Sequence, residues 1–269
     1  MKNIKTAVVA AVTGLVTASA GTYGLAKGNN SPEKNKITET VTAHETNSVP
    51  EENYVPVENV APKILNIGDS RTVGMYFSEN RAKYSNEVNT ADNAGNLWFA
   101  KVGQGLKWFE NNLSTIQKHA KNSNIVVINL GINDLAASGN SDVTAQKYLI
   151  MMNKLAKAWQ KDGKKVFFSS INPVGPQYSH ARLFNQKIDN FNRQMRDNLS
   201  SEITFIDTNT FIKDKLKSSD FDKFGLHYVP SVNKSVHAYI ESKIMQQWSA
   251  AHNKSRTARF AEFQNTKER

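Results

Sequence analysis

The chain has no cysteine anywhere in its 269 residues. That absence excludes disulfides, thiolate nucleophiles and cysteine-ligated zinc together. In a protein that leaves the cytoplasm, doing without disulfides suggests a bacterial surface protein. Long uncharged apolar stretches are scarce too, and the one from about Thr6 to Ala26 lies at the start. Lys2 and Lys5 form a basic region beside it, and Ala18-Ser19-Ala20 fits a small-residue cleavage site, so residues 1–26 read as an export signal. The stretch also approaches the roughly 20 residues that span a bilayer, which keeps an uncleaved membrane anchor as the alternative. Large apolar residues are few again from Lys27 to Pro62, where Asn, Ser, Thr, Glu and Pro dominate without a helical or strand period. Residues 27–62 therefore read as a polar flexible spacer.

Charge of one sign is in excess. The net charge is +10, and residues 63–248 carry most of it, with 24 Lys and Arg against 16 Asp and Glu. Outside a cell, such a balance favours association with an anionic cell wall or the head groups of a membrane surface. In a cytoplasmic protein it would raise nucleic acid, which is not expected as a partner here. The lysines are scattered rather than clustered, as on a solvated face.

At 39% apolar residues, the chain can bury one good-sized core. From Lys63 the pattern becomes strand, loop, helix, repeated. The expected strands are Lys63–Ile67, Trp98–Val102, Ile125–Leu130, Lys165–Ser169 and Ile203–Ile206, all rich in Ile, Val and Phe. Helical periods lie between them: Leu106, Phe109, Leu113 and Ile116; Tyr148, Met152, Leu155 and Trp159; Phe184, Ile188, Phe191 and Met195. A last helix carries Val236, Ile240, Ile244 and Trp248. Alternation of this kind predicts right-handed crossovers and a parallel sheet covered on both faces, an α/β fold over residues 63–248. Residues 249–269 form a basic C-terminal tail. There is no internal repeat.

In open α/β sheets, ligands sit beyond the carboxyl ends of the strands, so the loops there are the place to look for chemistry. The first strand runs into Gly68-Asp69-Ser70-Arg71, putting a serine where a following helix can aim N–H groups at an oxyanion. Gly68 permits a sharp turn, though Gly-Asp-Ser is also an ordinary turn sequence. The second strand ends in Val102-Gly103-Gln104-Gly105, where a bare backbone amide can approach a substrate oxygen, or where a glycine merely opens a helix. The third ends in Gly131-Ile132-Asn133-Asp134, which offers an amide donor at Asn133 or simply a helix cap. Of six histidines, His44 lies in the spacer, His119 near a helix end, His180 in a loop, His237 inside the last helix and His252 in the tail. Only His227 lies in the loop between the fifth strand and the final helix, on the rim where the other strand ends meet.

Taken in chain order, these four blocks resemble the SGNH/GDSL hydrolase superfamily, named for its Ser, Gly, Asn and His. The resemblance covers about Lys63 to Trp248. It implies a flavodoxin-like three-layer α/β/α fold with five parallel strands in the order 2-1-3-4-5. It implies Ser70 as nucleophile, His227 as base, and an oxyanion hole from the Ser70 amide, the Gly103 amide and the Asn133 side chain. Gly68, Asp69, Gly131 and Asp134 complete the motifs. Gly103 is preferred to Gly105 as immediately preceding the helix. Members usually carry Asp three residues before the histidine, and here Phe224 stands there. Asp222 or Asp220 would then orient His227, with Asp222 the first choice; otherwise a backbone carbonyl does so.

The expected activity is hydrolysis of a small acyl ester, acetyl foremost, on an extracellular or cell-wall carbohydrate. The alternatives are a lipid esterase or lysophospholipase, an acyltransferase on the same scaffold, or a catalytically weak surface-binding pseudoenzyme suggested by Phe224. Trp98, Phe99 and Trp108 would line the apolar groove that a lipid substrate needs, or else pack the core. Nothing calls for a metal or an organic cofactor.

Overall fold

A computed structural model of the chain describes residues 61–267, with side chains as far as 251. The export signal or anchor and nearly all of the spacer lie outside the described residues. Among the described residues no helix is long and apolar enough to cross a membrane.

Six strands form one sheet: β1 Ile64–Gly68, β2 Glu87–Ala91, β3 Leu97–Lys101, β4 Ile125–Asn129, β5 Lys165–Ser169 and β6 Ile203–Ile206. Their order is β2-β3-β1-β4-β5-β6. The five expected strands are the five parallel ones, each found within a residue or so of its predicted bounds, and they stand in the order 2-1-3-4-5. The sixth, β2, is an antiparallel edge strand paired with β3. It escapes the sequence pattern because only Val88 of its five residues is buried, so it has no apolar alternation to show. The hairpin turn before β3 is fixed by Asp92, whose side chain accepts from the Ala94 and Asn96 amides and from the Trp98 indole.

Helices cover both faces: α1 Ser70–Asn80, α2 Leu106–Asn111, α3 Leu113–Lys121, α4 Ile132–Ser138, α5 Ser141–Lys161, α6 Ala181–Asn198, α7 Thr208–Ile212 and α8 Pro230–Lys267. The continuous period read over 106–116 is broken at Asn112, which caps the end of α2 and the start of α3. No break separates the final helix from the expected tail, since α8 continues to Lys267.

Period-2 alternation divides the core in two. Leu65 and Ile67 of β1, Val126 and Ile128 of β4, and Val166 and Phe168 of β5 face the layer of α2 to α6. Ile64, Ile125, Val127 and Phe167 face α1 and α8, where Val73, Val236, Ile240 and Ile244 pack. Successive strand residues point to opposite faces, so a strand covered on both sides needs apolar residues at nearly every position. Trp98 and Phe99 follow the same logic on opposite faces of β3, at 1% and 4% exposure, and neither is free to line an acyl groove.

Candidate active site

Gly68 closes β1 and Asp69 caps α1, which makes Ser70 the first residue of a helix at the carboxyl edge of the sheet. The Asp69 carboxylate accepts from the Arg71 amide at 2.9 Å, satisfying one of the donors a helix start leaves open. The sharp turn expected of Gly68 is not the reason for it, because its φ is not positive. Crowding is: a Cβ there would lie 1.8 Å from Thr72 Oγ1 and 2.7 Å from the Asn129 carbonyl oxygen. Burial pushes the Asp69 carboxyl up to about 6, and the neighbouring Asp134 adds to this. The amide and guanidinium of Arg71 pull the other way.

His227 approaches Ser70 from the loop before α8. Its Nε2 lies 3.0 Å from Ser70 Oγ and its Nδ1 lies 3.1 Å from Asp222 Oδ2. Ser70 is 6% exposed, and the side chains of His227 and Asp222 are 31% exposed. With the ring proton on Nδ1 shared with Asp222, Nε2 accepts from the serine hydroxyl. The turn explains how Asp222 gets there from five residues upstream. Phe221 bridges Tyr228 antiparallel, the Asp222 amide donates to the His227 carbonyl at 2.8 Å, and the Gly225 amide donates to the Asp222 carbonyl at 2.9 Å. Phe224 is thereby left outside, 49% exposed. Asp220 is engaged elsewhere, its carboxylate accepting from the Lys217 amide at 2.8 Å. Burial alone would raise the Asp222 carboxyl. The His227 ring and the amides of Leu226 and His227 outweigh burial and hold it below its ordinary value.

The second and third blocks meet beside the serine's end of the sheet. Asn133 is the second residue of α4, after an N-cap at Gly131, so it is not itself the cap. Its Nδ2 donates to the Gln104 carbonyl at 2.8 Å, which leaves the second amide hydrogen for another acceptor. The helix that Gly103 was placed next to begins later, at Leu106 with Gly105 as N-cap. Gly103 is instead an exposed loop residue with φ +74, and a Cβ on it would meet nothing. Gly105 is fixed by close approach, since a Cβ there would lie 2.1 Å from Asp134 Oδ2. That oxygen accepts from the Leu106 amide at 3.0 Å and from the Tyr148 hydroxyl at 2.5 Å. Consecutive side chains at the start of α4 thus hold the 104–106 loop from two sides.

A serine hydroxyl, an imidazole and a carboxylate in series, beside a loop of bare amides, are what acyl transfer to serine requires. Residues 64–240 match the family GDSL-like lipase/acylhydrolase. The chain belongs to that family. Among solved structures it is similar to one described as a platelet activating factor from Streptococcus pneumonia, at 17% identity and TM-score 0.52, over 70% of this chain and 86% of that one. It is also similar to a protein from Slackia heliotrinireducens assigned as an SGNH hydrolase, at 15% identity and TM-score 0.50, over 68% of this chain and 99% of that one. No curated protein matches the chain. The protein is an ester-hydrolysing enzyme of the SGNH/GDSL superfamily.

The hydrolase contains a positioning residue that the sequence gives no means of finding. Arg71, directly after the serine, is 4% exposed. Its guanidinium donates to the carbonyls of Asn172, of Pro173 at 3.1 Å and of Leu226 at 3.1 Å, and it lies 5.0 Å from the centroid of the Tyr228 ring. One side chain therefore ties α1 to the loop after β5 and to the turn that carries His227. Tyr228 closes the same knot by donating to the Pro173 carbonyl. Burial pushes its hydroxyl up to about 12, with Arg71 pulling it down, so it stays a donor. A signal was present only in retrospect: a charged residue inside an otherwise buried helix start must have partners.

The remaining histidines of the hydrolase are elsewhere. His237 is buried on α8 against Trp98, near Glu79 and Glu241. His119 lies on α3, where burial and Lys118 lower its pKa. His180 caps α6. His44 and the side chain of His252 fall outside the described residues. Among those described, no group of three or more His, Asp or Glu side chains could hold a metal ion.

Proposed function

We propose that the hydrolase removes a small acyl group, acetyl foremost, from an extracellular or cell-wall carbohydrate through an acyl-enzyme on Ser70. The observation that carries this reading is the unbroken series Asp222, His227, Ser70, with 3.1 Å and 3.0 Å at its two links. Ser70 Oγ attacks the ester carbonyl while His227 Nε2 takes its proton. The oxyanion of the tetrahedral intermediate is received by the Ser70 amide, a backbone amide of the 103–105 loop and the second hydrogen of the Asn133 amide. Collapse expels the sugar alcohol, which receives the proton from His227. Water, deprotonated by the same ring, then releases the acid and restores Ser70. Asp222 acts through His227 and holds its tautomer. Its presence answers the doubt that Phe224 raises about activity.

Export, by a cleaved signal or as an anchored surface protein, and the charge excess over residues 63–248 support a wall-linked substrate. The site of action is then outside the bacterial cell, beside an anionic wall or membrane surface. The burial of Trp98 and Phe99 counts against a long acyl groove built from them.

The test is hydrolysis of p-nitrophenyl acetate and longer-chain esters by the wild type, Ser70→Ala and His227→Ala. Each variant should lose on the order of 10³-fold or more in kcat. Equal rates in all three proteins would refute the mechanism, and a rate that climbs with acyl length would favour the lipid esterase.

A further inference from the structure

We infer that the groove between α4 and the approach to α6 holds the sugar part of the substrate and selects glycans that carry negative charge. This rests on the esterase reading above and extends it to substrate class.

The groove has a volume of about 700 Å3. On one side it is bounded by Ala136 of α4 and by Ser141, and on the other by Tyr178, His180, Leu183 and Lys187. One side leads back to Asn133 and the other to the turn that carries His227. Ala136 follows Asn133 by three positions on one helix, which puts the two on the same face, neighbours by helical geometry. The loop carrying Tyr178 is pressed on the turn of His227: the Gly175 amide donates to the Gly225 carbonyl at 2.7 Å, and a Cβ on Gly225 would lie 2.7 Å from the Tyr178 nitrogen. A ligand joined to an ester at Ser70 can therefore extend outward along this groove.

Its lining states what it would take. The Tyr178 ring is braced by Phe184 at 5.0 Å between centroids, and Leu183 is 56% exposed, so an apolar flank is offered to the C–H face of a sugar. Ser141 and Gln186 supply polar contacts. Lys187 is the one fixed charge in a lining that also includes His180. No acidic side chain belongs to the lining; Asp189 outside it pairs with Lys213 at 2.6 Å, and Asp142, next to Ser141, points its carboxylate to the amides of Asn190 and Gln194. Neither Lys187 nor His180 has an ion pair among the described residues. A cleft whose own lining carries charge of one sign attracts the opposite sign.

The full chain is assayed on acetylated oligogalacturonides, which carry carboxylates, and on acetylated xylo-oligosaccharides, which do not. The wild type should favour the acidic substrate, and Lys187→Glu should lower the acidic-to-neutral ratio of kcat/KM about tenfold, through KM. Raised salt should shrink the wild-type preference. An unchanged ratio in Lys187→Glu overturns the inference, as does a preference for longer acyl chains that ignores Lys187. If no ester is cleaved, p-nitrophenyl acetate included, the esterase reading has failed on its own account. The groove is then judged by calorimetry with unacetylated oligogalacturonide: tighter binding to the wild type than to Lys187→Glu supports it, and equal or absent binding overturns it.

Discussion

Asp222 stands two residues further from His227 than the spacing usual in the family, yet reaches Nδ1 at 3.1 Å. The extra residues bulge outward as Lys223 and Phe224, so the carboxylate returns to the ring although the count along the chain changed. From sequence alone Asp220 and Asp222 differ by two positions, and nothing in that difference tells which one the turn folds inward. Ser70 was legible because it follows a strand end and His227 because it alone of the histidines lies in the loop before the final helix, and the family resemblance joined the two. Asp222→Asn should lower kcat by roughly 10² to 10⁴-fold, since the ring loses the partner that fixes its tautomer, while Asp220→Asn should stay near wild type in the same ester assay. Asp69 carries a second prediction. Its carboxyl is near 6 in the folded chain against an ordinary 3.8, so the folded state holds the proton more tightly than the unfolded one. That contribution is complete below about pH 4 and is lost as pH rises to about 6, a loss on the order of 3 kcal/mol. Relative to wild type, Asp69→Asn should therefore gain stability between pH 4 and pH 7, which urea midpoints at the two pH values would measure.

Two parts of the site are tied in place by one or two side chains each. Arg71 joins α1 to the His227 turn and to the loop after β5, with three carbonyls on one guanidinium. Lysine has the charge but not the planar fork, so Arg71→Lys leaves carbonyls unpaired and should lower kcat at least tenfold with KM nearly kept. Arg71→Met removes all three bonds and should cost about 3 kcal/mol in thermal or denaturant unfolding. The 104–106 loop is held in the same manner by Asn133 and Asp134. Gly105→Ala pushes a methyl into the Asp134 carboxylate, and the expected result is a loss of activity larger than the loss of stability, read from kcat and Tm on one preparation. These ties were not legible in the sequence, because they run between elements far apart in the chain and leave no period. Neither was β2, a polar edge strand, nor the break at Asn112, which falls inside an apolar period that satisfies one helix or two equally well.

Across the whole molecule, the division of the core followed from alternation, since every central strand must be apolar on both faces, whereas the order of the parallel strands was implied only by the family resemblance. The described fold begins at Ala61. A chain begun at Glu58 should keep kcat/KM for p-nitrophenyl acetate within about twofold and Tm within about 2 °C, because among the described residues none of the core or of the acyl-transfer series precedes Ile64. The distribution of the three reacting groups over this fold has its own result. Ser70 and His227 are 157 positions apart in the chain, whereas acid and base share one short turn, fastened to α1 by Arg71 and to the loop after β5 by the Gly175 amide. Whatever lifts that turn withdraws base and acid in a single movement, and whatever reseats it restores both already aligned with each other.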